Sequence, residues 1–263
     1  ASQYSSEGYV DDADPKSRNL IASLLWKPND QLEVTTGFDV LKDKLQNYWG
    51  TPLVTEAFAT QPLEGVVSTT DGRTIDERMR FLNYNVGDEV ADSYQILTTL
   101  DIKWKHSNKL SFRNYIYFFD AEREWRNAEQ YTFNSTTSQI DRDRFFVDHD
   151  QNTVGNRLST TYKNTLAGLD NQSLFGIDAS YVDFRRRTLT DKDPQLTADS
   201  VDPLAPGGGT FGSTAQSSFL RINPTKIITL SAFFEDTLKI TPKLRLVAGL
   251  RQDHIDLDRI NLD

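Results

Sequence analysis

Four segments of this chain alternate apolar and polar residues with a period of two, and the connections between such segments are alternately very short and very long. Leu32, Val34, Phe38 and Val40 alternate with Glu33, Thr35, Gly37 and Asp39. Tyr94, Ile96, Leu100, Ile102 and Trp104 alternate with Ser93, Gln95, Thr99, Asp101 and Lys103. Phe175, Ile177, Ala179 and Tyr181 alternate with Leu174, Gly176, Asp178 and Ser180, and Ile228, Leu230, Ala232 and Phe234 face away from Thr229, Ser231 and Glu235. A period of two puts one kind of side chain on each face of a β-strand. Noisier segments near 17–26, 110–120, 153–163 and 244–258 raise the expected number to about eight strands, most of them at or above the length that crosses a bilayer when tilted.

The connections constrain the fold further. Lys27-Pro28-Asn29-Asp30, His106-Ser107-Asn108-Lys109, the stretch Leu166–Asn171 and Ile240-Thr241-Pro242-Lys243 are short and carry turn-forming residues. The intervening connections, 45–92, 121–152 and 188–225, are long, and they fall at one end of the hairpins. Long structureless loops are uncommon in compact soluble domains. Short turns at one end and long loops at the other are the layout of an outer-membrane barrel. The strands that enter the short turns end alike, in Trp26-Lys27, Trp104-Lys105, Tyr162-Lys163 and Leu238-Lys239. Trp26, Trp104 and Tyr162 are therefore read as an interfacial girdle. Asn114, Asn156 and Asp236 interrupt the apolar faces.

Composition agrees. Hydrophobic residues are only 37%, while aromatics reach 11% with a single Met, a balance suited to a sheet with one apolar and one wet face. The net charge of −9 argues against nucleic acid as a partner, because that affinity rests on basic residues neutralising phosphates. No apolar run is long enough for a membrane helix. With no Cys, disulfides and thiolate metal sites are excluded.

Signatures of catalysis are weak. His106, His149 and His254 are scattered. Gly207, Gly209 and Gly212 match G-x-G-x-x-G but follow Pro203 and Pro206, with no strand before and no helix after, so a loop is expected. Asp141, Asp143, Asp148 and Asp150 are read as a solvated acidic loop in preference to a cation site, for they lack the Gly and terminal Glu of a calcium loop. No enzyme activity, resident cofactor or metal ligand is expected.

Three blocks carry a family resemblance. NLIASLLWKPNDQLEVTTGFDVLKDKLQNYWGTPL, within which the hairpin runs Leu20–Pro52, LSFRNYIYFFDAEREWRNAEQY at Leu110–Tyr131, and above all ITLSAFFEDTLKITPKLRLVAGLRQDHIDLD at Ile228–Asp258 resemble TonB-dependent ferric-siderophore receptors. In that family a strand ending in F-x-D leads through a short periplasmic turn to a strand of the GLRYDH type, with Gln252 here in place of the tyrosine. The resemblance implies an all-β, antiparallel transmembrane barrel segment: about eight strands of a family-typical 22-stranded barrel, with short periplasmic turns and long extracellular loops. It implies that residues 1–263 are a partial barrel domain, with plug domain, TonB box and C-terminal strands lying outside this chain. It further implies a bacterial outer-membrane location, uptake of a ferric siderophore driven through TonB–ExbB–ExbD, and contact with outer-membrane lipid and lipopolysaccharide. A passive porin or a TonB-dependent receptor for another cargo is the alternative, and a soluble adhesin or lectin a third.

The iron would arrive chelated, so aromatic walls with a few cationic donors suit the cargo. The candidate ligand contacts are Tyr48 and Trp49 at the mouth of the first long loop, Trp125 with Arg123 past the fourth strand, and Tyr131 and Phe211 in loops. Asp39, Leu41, Asp43 and Trp49 are expected on the inner face.

Overall fold

The computed structural model describes residues 1–45, 48–189, 199–212 and 220–261. Its main body is one nine-stranded antiparallel sheet made of β1 (Ser2–Ser5), β2 (Lys16–Asn29), β3 (Leu32–Lys44), β4 (Val90–Lys105), β5 (Leu110–Asn127), β8 (Phe145–Leu166), β9 (Leu169–Leu189), β11 (Arg221–Thr241) and β12 (Leu244–Arg259), paired in that order. This is a meander. Three short strands, β6 (Tyr131–Asn134), β7 (Gln139–Arg142) and β10 (Asp199–Val201), interrupt it in sequence and form a separate sheet in the order β10-β7-β6.

Local chemistry closes the short turns. The Asn29 carboxamide oxygen accepts from the backbone N–H of Gln31 and Leu32, both at 2.9 Å, between β2 and β3. Ser107 Oγ accepts from the N–H of Lys109 and Leu110 between β4 and β5. Between β8 and β9, Ala167 and Gly168 have φ of 52° and 81°. Two positive φ values in a two-residue hairpin match the twist of the flanking strands, but an alanine there meets its own carbonyl oxygen. Ala167→Asn should therefore stabilise the protein by about 0.5–1 kcal/mol, read as a higher denaturant midpoint of the detergent-solubilised protein; an unchanged midpoint would contradict the strain.

The register places the sequence's alternation on two continuous faces. Val34, Ile102, Asn114, Leu158, Ile177, Ala232 and Gln252 form one row across seven strands. On this apolar face of β4 the residues run from Trp104 to Tyr94. About ten residues separate them, roughly 33 Å along the strand and about 25 Å in height once tilted, the thickness of a barrel's apolar band. The band slips obliquely across the rows. Level with Val40 and Ile96, the next strands already carry Asp120, Asn152 and Asp183, as expected where strands tilt against the band. The polar interruptions of this face satisfy one another. Asn114 Nδ2 donates to Asn156 Oδ1 at 2.7 Å, and Asp236 accepts from Asn171 Nδ2 and Ser173 Oγ, each at 2.7 Å.

The opposite face carries ion pairs. Lys27 and Lys103 both reach Glu33, Arg113 binds Asp101 through Nε and Nη2 at 2.8 and 2.9 Å, and Arg157 binds Asp178. Two glycines lie beneath aromatic rings: a Cβ on Gly155 would stand 2.3 Å from Tyr117 Cζ, and one on Gly176 would stand 2.1 Å from Phe233 Cζ. Glycine under an aromatic ring lets the ring lie flat on the sheet.

The buried core sits at the long-connection end of the sheet and not along the strands below it. Buried apolar side chains cluster where the long connections converge, as Val54, Met79, Tyr84, Phe133 and Ile140 in one group and Val86, Ala128, Phe146, Leu189 and Phe211 in another. Leu20, Leu24, Trp26, Ile177, Leu230 and Leu246 are instead exposed on the sheet's apolar face. An apolar surface that large requires an apolar partner.

The strands overrun the loop boundaries expected from sequence. β5 continues to Asn127, β8 begins at Phe145 and β9 runs to Leu189, so the connections narrow to 45–89, 128–144 and 190–220. Above the apolar band both faces are wet, and hydropathy stops alternating while backbone pairing continues. The acidic run is divided accordingly. Asp148 and Asp150 lie on β8 and pair with Arg187 and Arg185 of β9. Asp141 accepts from Ser200 Oγ, and Asp143 Oδ1 accepts the N–H groups of Glu129 and Gln130. The glycine run 207–212 packs against the Gly87 backbone, whose N–H points at the carbonyl oxygens of Gly208 and Gly209.

Candidate functional site

The candidate site lies at the long-connection end of the polar face. On β5 the side chains at 121, 123 and 125 share that face, and strand geometry sets Arg123 and Trp125 side by side. The Arg123 guanidinium lies 4.3 Å from the centre of the Trp125 ring, and Trp49 closes on the same ring at 5.3 Å with an interplanar angle of 50°. Trp125 Nε1 donates to Glu129 Oε1 at 2.8 Å, which fixes the indole plane. Burial pushes the Glu129 carboxyl above its ordinary pKa. Sequence reasoning thus nominates three residues, Trp49, Trp125 and Arg123, that the fold brings into one stack.

The other three sit apart from it. Tyr48 shares a 2.8 Å hydrogen bond with Thr51 Oγ1, and its ring lies 6.4 Å from Tyr9, which packs on Phe81. Tyr131 packs between the two buried clusters and donates its hydroxyl to the Ala128 carbonyl at 2.9 Å; burial drives its pKa upward. Phe211 is 2% exposed and belongs to the second apolar cluster, with its N–H bonded to Asp88. Asp39, Leu41 and Asp43 do share the polar face, where Asp39 accepts from Asn19 Nδ2 at 2.7 Å. Of the girdle residues, Trp26, Trp104 and Tyr162 are exposed on the apolar face near the short turns, and Trp104 stacks on Phe112 at 5.3 Å.

Register adds residues that sequence reasoning missed. Arg123 lies opposite His149, and His149 opposite Arg186, so that three basic side chains line one row of the polar face. His149 packs on Phe184 at 5.3 Å. Burial first, and then the charges of Arg123 and Arg186, lower the His149 pKa. Beyond Arg186 a cleft opens between the ends of β8, β9, β11 and β12, lined by Arg144, Arg186, Arg221, Asn223 and Arg259. Extending the alternation of β8 and β9 past the apolar band would have revealed this row; without a hydropathy signal nothing prompts that extension.

Above the site the long connections are locked together. Arg142, fully buried, donates Nε and Nη2 to the two Asp199 oxygens at 2.9 and 2.5 Å and Nη1 to the carbonyls of Tyr84 and Asn85. One guanidinium thus joins all three long connections.

A family model described as "TonB dependent receptor-like, beta-barrel" matches residues 22–262. No curated protein sequence matches the chain. Among solved structures, the fold matches the ferric-catecholate import receptor Fiu of E. coli in its open form, with TM-score 0.71, 12% identity and coverage of 95% of this chain and 38% of that one. It matches BauA, the ferric preacinetobactin receptor of Acinetobacter baumannii, with TM-score 0.68, 15% identity and coverage of 97% and 36%. The ferripyoverdine receptor of the outer membrane of Pseudomonas aeruginosa gives TM-score 0.75 at 12% identity, with coverage of 99% and 33%. The chain spans about a third of the length of the structures it matches.

Proposed function

The chain belongs to the TonB-dependent receptor β-barrel family, and from that premise we propose that it forms part of the wall and mouth of a ferric-siderophore receptor. It is a segment of an outer-membrane β-barrel, with its apolar face toward lipid and its polar face toward the lumen. The proposal extends to Trp26, Trp104 and Tyr162 as a periplasmic-side girdle in contact with lipid, to lipopolysaccharide around the extracellular extensions, and to energy coupling through TonB–ExbB–ExbD by parts of the receptor outside residues 1–263.

The observation that carries the cargo assignment is the Trp49–Trp125–Arg123 stack on the lumenal face of the mouth. Two indoles and a guanidinium offer flat apolar surface beside a cation, which fits a chelate whose organic rim surrounds a polar iron centre. Tyr48, Tyr131 and Phe211 serve by holding the loops that carry the stack. The chemistry is recognition followed by passage; no bond is made or broken.

The chain's four tryptophans divide between the two ends, Trp26 and Trp104 near the turns and Trp49 and Trp125 at the mouth. Saturable quenching of tryptophan fluorescence by one ferric chelate is expected from the full-length protein in detergent. Trp125→Ala should weaken that binding by roughly 30-fold, the loss typical of a central aromatic contact of about 2 kcal/mol. Quenching by no member of a panel of hydroxamate, catecholate and carboxylate chelates would remove the siderophore assignment and leave the barrel intact.

A further inference from the structure

We infer that the cargo is an anionic chelate, and that the arginine-lined cleft beside the Trp49–Trp125 stack takes its charge; this rests on the receptor reading above.

The argument begins with three consecutive arginines on β9. Arg185 and Arg187 point to the apolar-face side of the sheet, where their partners on β8 are Asp150 and Asp148, and both are ion-paired. Arg186 points to the lumen. Its register partner on one side is His149, beyond which stands Arg123, and on the other it is Asn223. Among the described residues, Arg186 makes no ion pair. The alternation of the strand has therefore sorted the charges. Outward, Arg185 and Arg187 are each neutralised by an aspartate; inward, Arg186 stands between His149 and Asn223, neither of them an acid.

The cleft repeats this imbalance. Arg186 and Arg259 line it together with the rim residue Arg144 and with Arg221, which is engaged by a partner of its own, and Asp143 is its one acidic lining residue among those described. Asp143 Oδ1 already accepts the N–H groups of Glu129 and Gln130. Arg144 is occupied by Asp199 and by the Asp143 and Thr210 carbonyls, so it shapes the rim. The Asn223 and Asn261 carboxamides bond each other at 2.8 Å across the floor. A patch this basic is a departure for a chain of net charge −9. Like charges gathered on one wall repel one another and raise the folded state's energy. An anion relieves that repulsion, and guanidinium forks are matched to carboxylate and catecholate oxygens. A neutral chelate would leave it in place.

The test uses the full-length detergent-purified protein and three probes: the ferric complex of a tris-catechol, ferric citrate, and a neutral ferric trihydroxamate. The anionic probes should quench tryptophan fluorescence saturably, with a Kd that rises steeply with added NaCl, because exposed charges are screened within about 10 Å at 0.1 M salt. Arg186→Gln should raise that Kd by roughly tenfold or more. Arg185→Gln, one residue along and on the other face, should leave it unchanged. The inference is overturned if the neutral trihydroxamate binds and the anionic probes do not, or if Arg186→Gln binds them as well as the parent. Binding of none of the three by folded protein overturns both the inference and the receptor reading, whereas salt-insensitive binding of the trihydroxamate alone overturns only the inference.

Discussion

Replacing Arg142 with methionine is expected to uncouple the long connections from one another, at a cost of about 3–5 kcal/mol, the usual consequence of breaking a buried ion pair by removing one partner. The side chain is fully buried and its guanidinium has four bonded acceptor atoms: the two Asp199 oxygens and the carbonyls of Tyr84 and Asn85. Methionine fills much of the volume but returns none of those bonds, and the two buried carbonyls would be left unsatisfied. Asp199 is better placed to recover, because its side chain is 37% exposed and water can reach it. The loss should therefore be local. Amide hydrogen exchange would show protection falling across β6, β7 and β10, with the long hairpins β4–β5 and β8–β9 unchanged. Protection of β7 equal to that of the parent would show that the apolar clusters alone hold the connections. The site would respond too: Trp49 rides on the first of these connections, so the Trp49–Trp125 contact and the quenching it supports should weaken together.

The second large effect is on the lipid face. Ile177→Arg should destabilise the barrel by about 2–4 kcal/mol, because Ile177 is 60% exposed in the middle of the apolar band, between Leu158 and Ala232. A guanidinium there has hydrocarbon around it and no carboxylate in its row to meet. Asp183→Arg lies six residues further along the same face, above the band, where the expected cost is about 0–1 kcal/mol. Unfolding in lipid vesicles, followed by intrinsic fluorescence against denaturant, distinguishes the two. Equal midpoints for the two variants would mean that the face called lipid-facing is not in lipid. A larger loss for Ile177→Arg fixes both the orientation of the sheet and the height of the band.

Much of the wall was legible because its causes are local. The rows led by Leu32, Tyr94, Phe175 and Ile228 were read as single faces, and the register joins them into one. The turns followed from Asn29 and Ser107, whose side chains cap their own backbones. The stack was legible in part: Arg123 and Trp125 are two apart on one strand, so their meeting follows from strand geometry. That Trp49 joins them is a matter of how a long connection returns. Tyr131 and Phe211 were nominated for being aromatic and in loops, a description that fits packing residues as well as exposed ones; the fold buries Phe211 and packs a half-buried Tyr131 against both apolar clusters.

The sequence by itself determined the two faces of the sheet, the short turns and the all-β class, since lipid on one side and water on the other select residue types position by position and leave a period of two. Only the tertiary structure decided how far the strands run beyond the band, because hydropathy carries no alternation where both faces are wet. It alone brought Arg142 to Asp199, 57 residues away, and set Arg186, which makes no ion pair among the described residues, on the lumenal face between two paired neighbours. Pairings across such separations depend on register and on the return path of each connection, and neither is written in any local pattern of residues.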